Sequence, residues 1–495
     1  MKFVTDIAAQ RARLTPDRIA LNEITTGVSC NYRDLNDRAA RAASLLESLG
    51  VSSGDRVVIL CRNRIAFFEI LFACAKLGAI LVPLNWRMPP AELSPLLDDC
   101  DPVLLIHGQE DAATSQTLLE GHKLPALNLD QSYEDDLARA PAHISRDQWP
   151  GSDPWYLIYT SGTTGRPKGV IQTYAMAIIN YINIGQAIGL RGTDSSLNYL
   201  PLFHTAGINL HTLPVLIAGG TSYILPAFDA GETLRLIADG KIDVFLGVPA
   251  IYRELSLHPD FDETDLSKVR HWSCGGAPLP DSLVELFATR GPRVCNGFGM
   301  TETGPTAFLS NPEAATTKIG SVGQSQILIQ SRIARGDGDE AGIDEVGEIQ
   351  FLGPGLTPGY WNRPEETAAL FTEDGWMKSG DLGRRDRDGY VFVEGRIKDM
   401  YISGGENVYP AEVENILAAC PGVFEAAIVG EASDKWGETG CAYVQMKGGV
   451  TGDAAALTSY CRERLAAFKV PARFVFVDDL PRTAAGKVQK HLLKG

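Results

Sequence analysis

Segments with helical spacing alternate with short β-branched runs along the first two thirds of the chain. Residues 34–49 carry Ala and Leu at helical spacing up to Gly50, residues 56–60 form a β-branched run, and residues 65–77 have a helical pattern up to Gly78. The same alternation continues at residues 222–225, 233–239, 244–248 and 283–289. It predicts an α/β fold, in which helices cover sheets of parallel or mixed strands.

A second and smaller unit follows in the sequence. Beyond residue 349 the pattern changes to short strands separated by glycine-rich turns, and from residue 409 onward it predicts a compact α+β unit. The predicted elements of this unit are a helix at 411–419, strands at 426–429 and 442–446, a helix at 454–467 and a strand at 473–477. Because 495 residues exceed one ordinary core, we expect a large N-terminal domain, residues 1–396, and a small C-terminal domain, residues 397–495.

The composition excludes several classes of partner. A formal net charge of −16 repels nucleic acid and anionic lipid, so an anionic ligand must be captured by a local site. The N-terminus lacks the basic and then apolar pattern of a secretion signal, and the apolar runs end well before the ~20 residues that a membrane span needs. Nine scattered cysteines without a CxxC pair are typical of free thiols in a reducing compartment. We therefore expect a cytoplasmic protein.

The strongest local signal is a loop rich in hydroxyls and glycines at residues 159–169, after an apolar run. Its side-chain hydroxyls and accessible backbone N–H groups are donors for a polyphosphate, and Lys168 adds positive charge. The loop is not a Walker A motif, because Lys168 is followed by Gly169 rather than by Ser or Thr. The alternative interpretation is a flexible surface linker, although a lysine and a proline in these places are not typical of one.

This loop resembles the phosphate loop of the adenylate-forming superfamily, which includes acyl-CoA and aryl-CoA ligases. The resemblance recurs in order along nearly the whole chain, from residues 32–36 through 76–85 to Lys487. It implies a large N-terminal domain and a small, mobile C-terminal domain. It also implies an AMP-forming ligase, a monomer or homodimer, whose substrates are ATP with Mg²⁺, a small carboxylic acid and coenzyme A.

The resemblance assigns the nucleotide site to four motifs. The phosphate loop contributes Thr160, Ser161, Gly162, Thr163, Thr164, Gly165 and Lys168. The adenine side contains Gly275, Gly276, Ala277, Asn296, Gly297, Phe298, Gly299 and Met300, in which Asn296 and Phe298 flank the base. Thr301 is expected to bond phosphate, and Glu302, together with Thr163, to bind Mg²⁺, since a hard carboxylate oxygen suits this ion. Asp381 is expected to accept the ribose hydroxyls, and Arg396 to contact the ribose or the phosphate.

The acid site is less sharply defined by the sequence. His204 lies in a motif that, in the family, borders the acid pocket and orients the carboxylate or the α-phosphate. The pocket is expected to include His204, Ile208, Val248, Gly276 and Ala277. Small and apolar residues suit an aliphatic or aromatic tail, so a fatty acid and an aromatic or phenylpropenoic acid both stay open.

The C-terminal motifs concern the second half of the reaction. Lys398 matches the family's hinge position, and Gly404 and Gly405 match the loop that lines the tunnel for coenzyme A. More distant positions expected to contact the nucleotide of coenzyme A are Trp436, Phe468 and Lys469. Lys487 matches the catalytic lysine, whose ammonium would stabilise charge at the α-phosphate.

Other functions stay open at this stage. The main alternative is an adenylation enzyme that loads a carrier protein, although no carrier domain follows Lys487 in the sequence. A luciferase-like oxygenase and a non-catalytic nucleotide-binding protein are further alternatives. The last is disfavoured because the catalytic positions are all present, namely Thr163, Glu302, Asp381, Arg396 and Lys487.

Overall fold

The computed structural model of the chain describes residues 1–160, 167–433, 436–482 and 488–493. The strands are β1 (Phe3–Thr5), β2 (Ile19–Glu23), β3 (Ser29–Asn31), β4 (Arg56–Leu60), β5 (Ile80–Pro83), β6 (Leu104–His107), β7 (Ala126–Asn128), β8 (Gln148–Pro150), β9 (Pro154–Thr160), β10 (Lys168–Thr173), β11 (Ser195–Asn198), β12 (Thr221–Ile224), β13 (Val244–Gly247), β14 (His271–Cys274), β15 (Val294–Phe298), β16 (Phe308–Leu309), β17 (Ser321–Ser325), β18 (Gln330–Ala334), β19 (Gly347–Leu352), β20 (Met377–Arg385), β21 (Val391–Arg396), β22 (Tyr401–Ser403), β23 (Glu406–Val408), β24 (Val423–Ser433), β25 (Gly437–Met446) and β26 (Arg473–Val477). The helices are α1 (Ile7–Leu14), α2 (Tyr32–Ser48), α3 (Ile65–Leu77), α4 (Pro90–Cys100), α5 (Ala112–His122), α6 (Tyr133–Arg139), α7 (Tyr174–Ile188), α8 (Thr212–Ala218), α9 (Ala230–Ala238), α10 (Pro249–Leu257), α11 (Asp281–Thr289), α12 (Pro364–Leu370), α13 (Pro410–Ala418) and α14 (Ala454–Arg462).

A six-stranded sheet carries the phosphate-loop hairpin at one edge. Its order is β10-β9-β5-β4-β6-β7, in which β4 pairs in parallel with β5 and β6, whereas β10 is antiparallel to β9. Helix α3 is apolar on nearly every side and is buried between its neighbours, and Gly78 ends it with a left-handed backbone (φ 74°). The sheet therefore holds the hairpin on a tightly packed core.

A thirteen-stranded sheet carries most of the other motifs. Strands β11 to β15 pair in parallel in its centre, and from β15 onward the pairing is antiparallel through β16, β17, β21, β20, β19 and β18. Because parallel strands end at the same edge, the segments that follow β14 and β15 come together there. These segments are the ones that the sequence assigns to the adenine and phosphate sites.

The C-terminal unit has a sheet of its own. Five strands pair in the order β23-β22-β25-β24, with β26 parallel to β25, and α13 and α14 contribute to a separate small core. The long sheet ends at Arg396 and the small sheet begins at Tyr401. The predicted domain boundary lies at the start of this short connection.

The predicted α/β class with a smaller α+β unit is confirmed, as are the strand 56–60 and the helix 65–77. The helix predicted at 454–467 is wrong in its length, since α14 ends at Arg462. Beyond it, Leu465, Phe468 and Val470 pack against the small core, and this packing redirects the chain out of the helix. Among the helices of the described residues, none is both long and apolar enough to cross a bilayer.

Among the buried histidines of the large unit, His211 and His271 are the least exposed. His211 directly precedes α8 and His271 begins β14, and each is 4% exposed. Burial lowers the pKa of His211 to about 3 and that of His271 to about 4, and His271 lowers that of His211 further. Both imidazoles are therefore neutral in the folded protein at pH 7.

We predict that the fold loses stability as the pH falls below about 6.5, where an unfolded histidine takes up a proton that the folded one excludes. Each buried histidine should contribute a slope of about 1.4 kcal/mol per pH unit between the two pKa values. Urea unfolding of the wild type and of His211→Gln between pH 7.5 and pH 5 should show a shallower slope for the variant. Two parallel curves would contradict the prediction.

Candidate active site

The phosphate loop is held at both ends by a β-hairpin. Thr160 ends β9 and Lys168 begins β10, and the two are register partners, with the Thr160 hydroxyl 3.5 Å from the Lys168 carbonyl oxygen. Both residues are half-buried. The predicted phosphate ligands between them, namely Ser161, Gly162, Thr163, Thr164 and Gly165, lie outside the described residues.

Glu302 lies in a buried turn at the edge of the other sheet. The turn Thr301–Thr303 follows β15, and Glu302 is only 7% exposed. Burial raises the pKa of the Glu302 carboxyl, whereas Arg396 and Lys168 act on it in the opposite direction. Its main-chain oxygen accepts a bond of 2.8 Å from the Thr357 N–H. A buried carboxylate is thus placed within the electrostatic reach of two cations.

Tyr360 brings Glu302 and Lys168 together. The Tyr360 hydroxyl donates to Oε1 of Glu302 over 2.9 Å, and the Lys168 ammonium lies 5.0 Å from the centroid of the same ring. The sequence analysis missed Tyr360, because it lies 58 residues beyond Glu302 and in no phosphate-binding pattern. The only local signal is a pair of aromatic residues, Tyr360 and Trp361, in a loop between Gly359 and Pro364.

Asp381 and Arg396 form a pair on neighbouring strands. They are register partners on β20 and β21, and the Arg396 Nε donates to Oδ1 of Asp381 over 3.0 Å. Asp381 is 4% exposed, whereas Arg396 is half-buried. The arginine therefore orients the carboxylate that the sequence assigns to the ribose.

The adenine-side segments follow adjacent parallel strands. Gly275, Gly276 and Ala277 come after β14, next to Asn296 on β15, and a Cβ on Gly275 would lie 3.3 Å from the Gly297 oxygen. A Cβ on Gly299 would lie 1.6 Å from the Pro305 oxygen, so only glycine fits there.

Some polar and aromatic residues on the adenine side already contact other residues of the protein. Asn296 donates to the Ser321 oxygen over 3.2 Å, and the half-buried Phe298 ring packs against Phe308 and Phe351. Met300 is half-buried, and the main-chain oxygen of the buried Thr301 accepts a bond of 3.0 Å from Gln172.

The residues predicted for the acid pocket divide into two groups. Val248 caps α10, and its Cγ1 lies 3.5 Å from the place that a Cβ on Gly276 would take, next to Ala277. The half-buried His204 accepts a bond of 3.2 Å at Nδ1 from the Ala206 N–H. Ile208, by contrast, is fully buried among core residues.

The residues predicted for coenzyme A lie in the small unit. Gly404 and Gly405 form the left-handed tip of the β22–β23 hairpin, and the Gly404 N–H donates to the Trp436 oxygen over 2.8 Å. The short turn that contains Phe468 and Lys469 packs against β23. The Lys469 ammonium pairs with Glu412 at 2.7 Å. The structure thus brings these five predicted residues to one part of the small unit.

The predicted hinge and catalytic lysines flank the small unit. Lys398 is exposed in the turn Ile397–Asp399 between the two sheets. Lys487 lies outside the described residues, and Arg482 and Val488, the nearest described residues on either side of it in the sequence, form an antiparallel bridge.

One contact joins the small unit to helix α10. The Arg253 guanidinium lies 4.3 Å from the centroid of the Phe424 ring and donates to the Phe424 oxygen over 2.9 Å. The adjacent Glu425 pairs with Arg482, which lies at the start of the bridged segment. Helix α10 thereby contacts the small unit close to the residues that flank Lys487.

The described part of the chain contains no cluster of side chains that could serve together as metal ligands. Within residues 1–160, 167–433, 436–482 and 488–493, no three His, Cys, Asp or Glu side chains are grouped so as to hold an ion. A single buried carboxylate such as Glu302 suits Mg²⁺, which usually takes one or two carboxylates and completes its shell with phosphate oxygens and water.

Two family models match the chain. The model described as AMP-binding enzyme matches residues 8–361, and the one described as AMP-binding enzyme C-terminal domain matches residues 412–487. Among similar proteins, a feruloyl-CoA synthase of an Amycolatopsis species is 39% identical over 97% of this chain and 96% of its own. An indoleacetate–CoA ligase of Aromatoleum aromaticum is 37% identical over 97% and 95%. The long-chain-fatty-acid–CoA ligase FadD13 of Mycobacterium tuberculosis is 34% identical over 100% and 98%.

Solved structures match the chain over nearly its full length. The o-succinylbenzoate CoA synthetase of Bacillus subtilis, in complex with an acyl-adenylate intermediate, has a TM-score of 0.91, 32% identity and coverage of 100% and 99%. ATP-bound MatB of Rhodopseudomonas palustris has a TM-score of 0.91 at 31% identity, and apo MatB one of 0.80 at 30% identity, each covering 99% and 98%. The structure of this chain is therefore more similar to ATP-bound MatB than to apo MatB.

Proposed function

We propose that Lys168, Glu302, Asp381 and Arg396 form the adenylation site of this protein. The chain belongs to the AMP-binding enzyme family and is an ATP-dependent, AMP-forming carboxylic acid:CoA ligase. The observation that carries the proposal is the convergence of Lys168 and Glu302 on Tyr360. The two charged groups come from different sheets, and one of them is a buried carboxylate. A cation beside such a carboxylate can bind a metal–polyphosphate complex.

The reaction has two steps because a carboxylate is a poor electrophile. The acid attacks the α-phosphorus of ATP, which forms an acyl-AMP and releases pyrophosphate. The thiolate of coenzyme A then attacks the acyl carbonyl, and AMP leaves. The relatives are named as CoA ligases or synthases, which favours free coenzyme A over a carrier protein as the acceptor.

In the first step, we assign the β- and γ-phosphates to Lys168 and to the hydroxyls of Thr160, Ser161, Thr163 and Thr164. Glu302 and Thr163 would hold Mg²⁺, which when bound offsets negative charge on the phosphates. Thr301 would add a hydrogen bond to phosphate. The Lys487 ammonium would stabilise the charge that develops at the α-phosphate.

The nucleoside would lie across the carboxyl edge of the long sheet. Asp381, oriented by Arg396, would accept the ribose hydroxyls. The base would fit between Phe298 and the turn Gly275–Ala277, with Asn296 beside it. The glycines at 275, 297 and 299 let neighbouring segments of the protein pack closely on this side, which supports a compact adenine site.

We assign the acid to the class of aromatic acids that carry a short apolar linker. Two of the three relatives above are named for aryl acids, and the one named for a fatty acid has lower identity. Val248 and Ala277 would border the ring, and His204 would orient the carboxylate. A fatty acid is the second candidate, favoured by the full-length similarity to FadD13.

In the second step, we propose that the small domain, residues 397–495, rotates about Lys398. This motion would withdraw Lys487 and bring Gly404 and Gly405 to the acyl-AMP, with Trp436, Phe468 and Lys469 on the nucleotide of coenzyme A. The closer match to ATP-bound than to apo MatB supports the adenylating arrangement as the one described above.

We also propose a cytoplasmic location and a monomeric or homodimeric state. The location is supported by the nine free cysteines, all of them buried, which suit a reducing compartment that supplies ATP and coenzyme A.

We predict that the purified protein exchanges labelled pyrophosphate into ATP in the presence of an aromatic acid such as ferulate. Its kcat/KM for arylpropenoic acids should exceed that for fatty acids of equal length by roughly tenfold, because a ring fills a short apolar pocket better than a flexible chain. A panel of acids graded in length and ring content checks this. If no acid of the panel supports pyrophosphate exchange, the assigned activity is overturned.

We predict that Lys487→Ala lowers the rate of adenylation by about 100-fold or more but largely spares thioester formation from supplied acyl-AMP. The variant Lys398→Pro should do the reverse, because proline restricts the backbone rotation that the second step needs. Both half-reactions are measured separately on folded protein. Equal loss of both half-reactions in both variants would contradict the rotation.

We predict that Arg253→Ala slows adenylation by roughly tenfold and spares the thioester step, because it removes a cation–π contact and a hydrogen bond specific to the adenylating arrangement. Arg290→Ala is the matched control, since Arg290 makes the same two contacts to Phe261 within the large unit. If both variants behave alike, the contact does not select this arrangement.

A further inference from the structure

We propose that Tyr360 is a positioning residue for adenylation, whose hydroxyl orients the Glu302 carboxylate and whose ring holds the Lys168 ammonium. One side chain would then set the spacing between the group that binds the metal and the group that binds phosphate. The inference rests on the proposed roles of Glu302 and Lys168.

The hydroxyl contributes the first contact. Glu302 is almost fully buried, and a buried carboxylate is costly unless a donor bonds it. Tyr360 supplies such a donor over 2.9 Å to Oε1. This bond engages Oε1 and restricts the rotation of the carboxylate, while Oε2 stays available to a metal ion. A metal ligand held in this way needs little reorganisation when the nucleotide arrives.

The ring contributes the second contact. The Lys168 ammonium lies 5.0 Å from the ring centroid, within the range in which an aromatic face attracts a cation. Lys168 is the first residue of β10, directly after the phosphate loop. The ring therefore keeps a long and flexible side chain next to the carboxylate rather than in solvent.

The backbone of Tyr360 is itself fixed from two sides. Tyr360 forms a β-bridge with Val170, and the adjacent Trp361 N–H donates to the Gly169 oxygen over 2.8 Å. On the other side, the Thr357 N–H donates to the main-chain oxygen of Glu302 over 2.8 Å. The segment 357–361 is thus bonded to the strand that follows the phosphate loop and also to the turn that carries Glu302.

A purely structural role makes a different prediction. Tyr360 also packs beside an apolar cluster that includes Phe351. If its only role were to fill space there, the protein would tolerate phenylalanine at this position. Tyr360→Phe keeps the ring and removes only the bond to Glu302. Tyr360→Leu removes both the bond and the platform for Lys168.

The experiment measures nucleotide binding and both half-reactions. Calorimetry with a non-hydrolysable ATP analogue, with and without Mg²⁺, should show that Mg²⁺ strengthens binding to the wild type about tenfold more than binding to Tyr360→Phe. The Mg²⁺ concentration for half-maximal pyrophosphate exchange should rise by a similar factor, while thioester formation from supplied acyl-AMP stays within about twofold. Tyr360→Leu should in addition weaken Mg²⁺-free binding of the analogue.

Tyr390→Phe is the matched control. Lys318 lies 5.4 Å from the Tyr390 ring and Asn311 donates to the Tyr390 hydroxyl over 3.3 Å, so the control also loses a hydroxyl bond beside a lysine but leaves Glu302 and Lys168 untouched. An unchanged Mg²⁺ dependence in Tyr360→Phe, or an equal loss of both half-reactions, would overturn the inference alone. A wild type without pyrophosphate exchange would instead overturn the proposed function, and the inference with it.

Discussion

The extended segment 357–361 joins two sheets that are otherwise built from different parts of the chain. It pairs with β10 of the six-stranded sheet and bonds the turn after β15 of the long sheet. Lys168 belongs to the first sheet, and the turn that carries the buried Glu302 follows a strand of the second. Because main-chain hydrogen bonds hold this joint, the distance between Lys168 and Glu302 is set by backbone rather than by flexible side chains alone.

The negative net charge of the whole molecule makes local cations necessary for binding ATP. A chain with a net charge of −16 repels ATP at long range, so the binding of anions depends on cations held at short range. Lys168 and Arg396 are the cations proposed for this role, and each is held beside a carboxylate or an aromatic ring. The partners that hold them also compensate their charge when no ligand is present.

The two units divide the chemistry between them. The large unit contains the residues assigned to the nucleotide and the acid, and the small unit contains both the segment with Lys487 and the hairpin with Gly404. In the proposed mechanism these two features act in opposite steps of the reaction, so each step would need its own arrangement of the units. The short connection between Arg396 and Tyr401 suits a small unit that can change its position, and in the described arrangement Arg253 of α10 contacts that unit.

The sequence by itself determined the fold class, the strand at 56–60, the helix at 65–77 and the identity of the motifs, because these depend on local periodicity and on residue types at short spacing. It also indicated Asp381 and Arg396, but not that they bond each other, since their pairing depends on the register of two strands. Only the tertiary structure decided that α14 stops at Arg462, that Ile208 is inside the core, and that Arg253 reaches Phe424. Tyr360 is the clearest case: its partners Lys168 and Glu302 are remote in sequence, and only the packing of two sheets brings them to one ring.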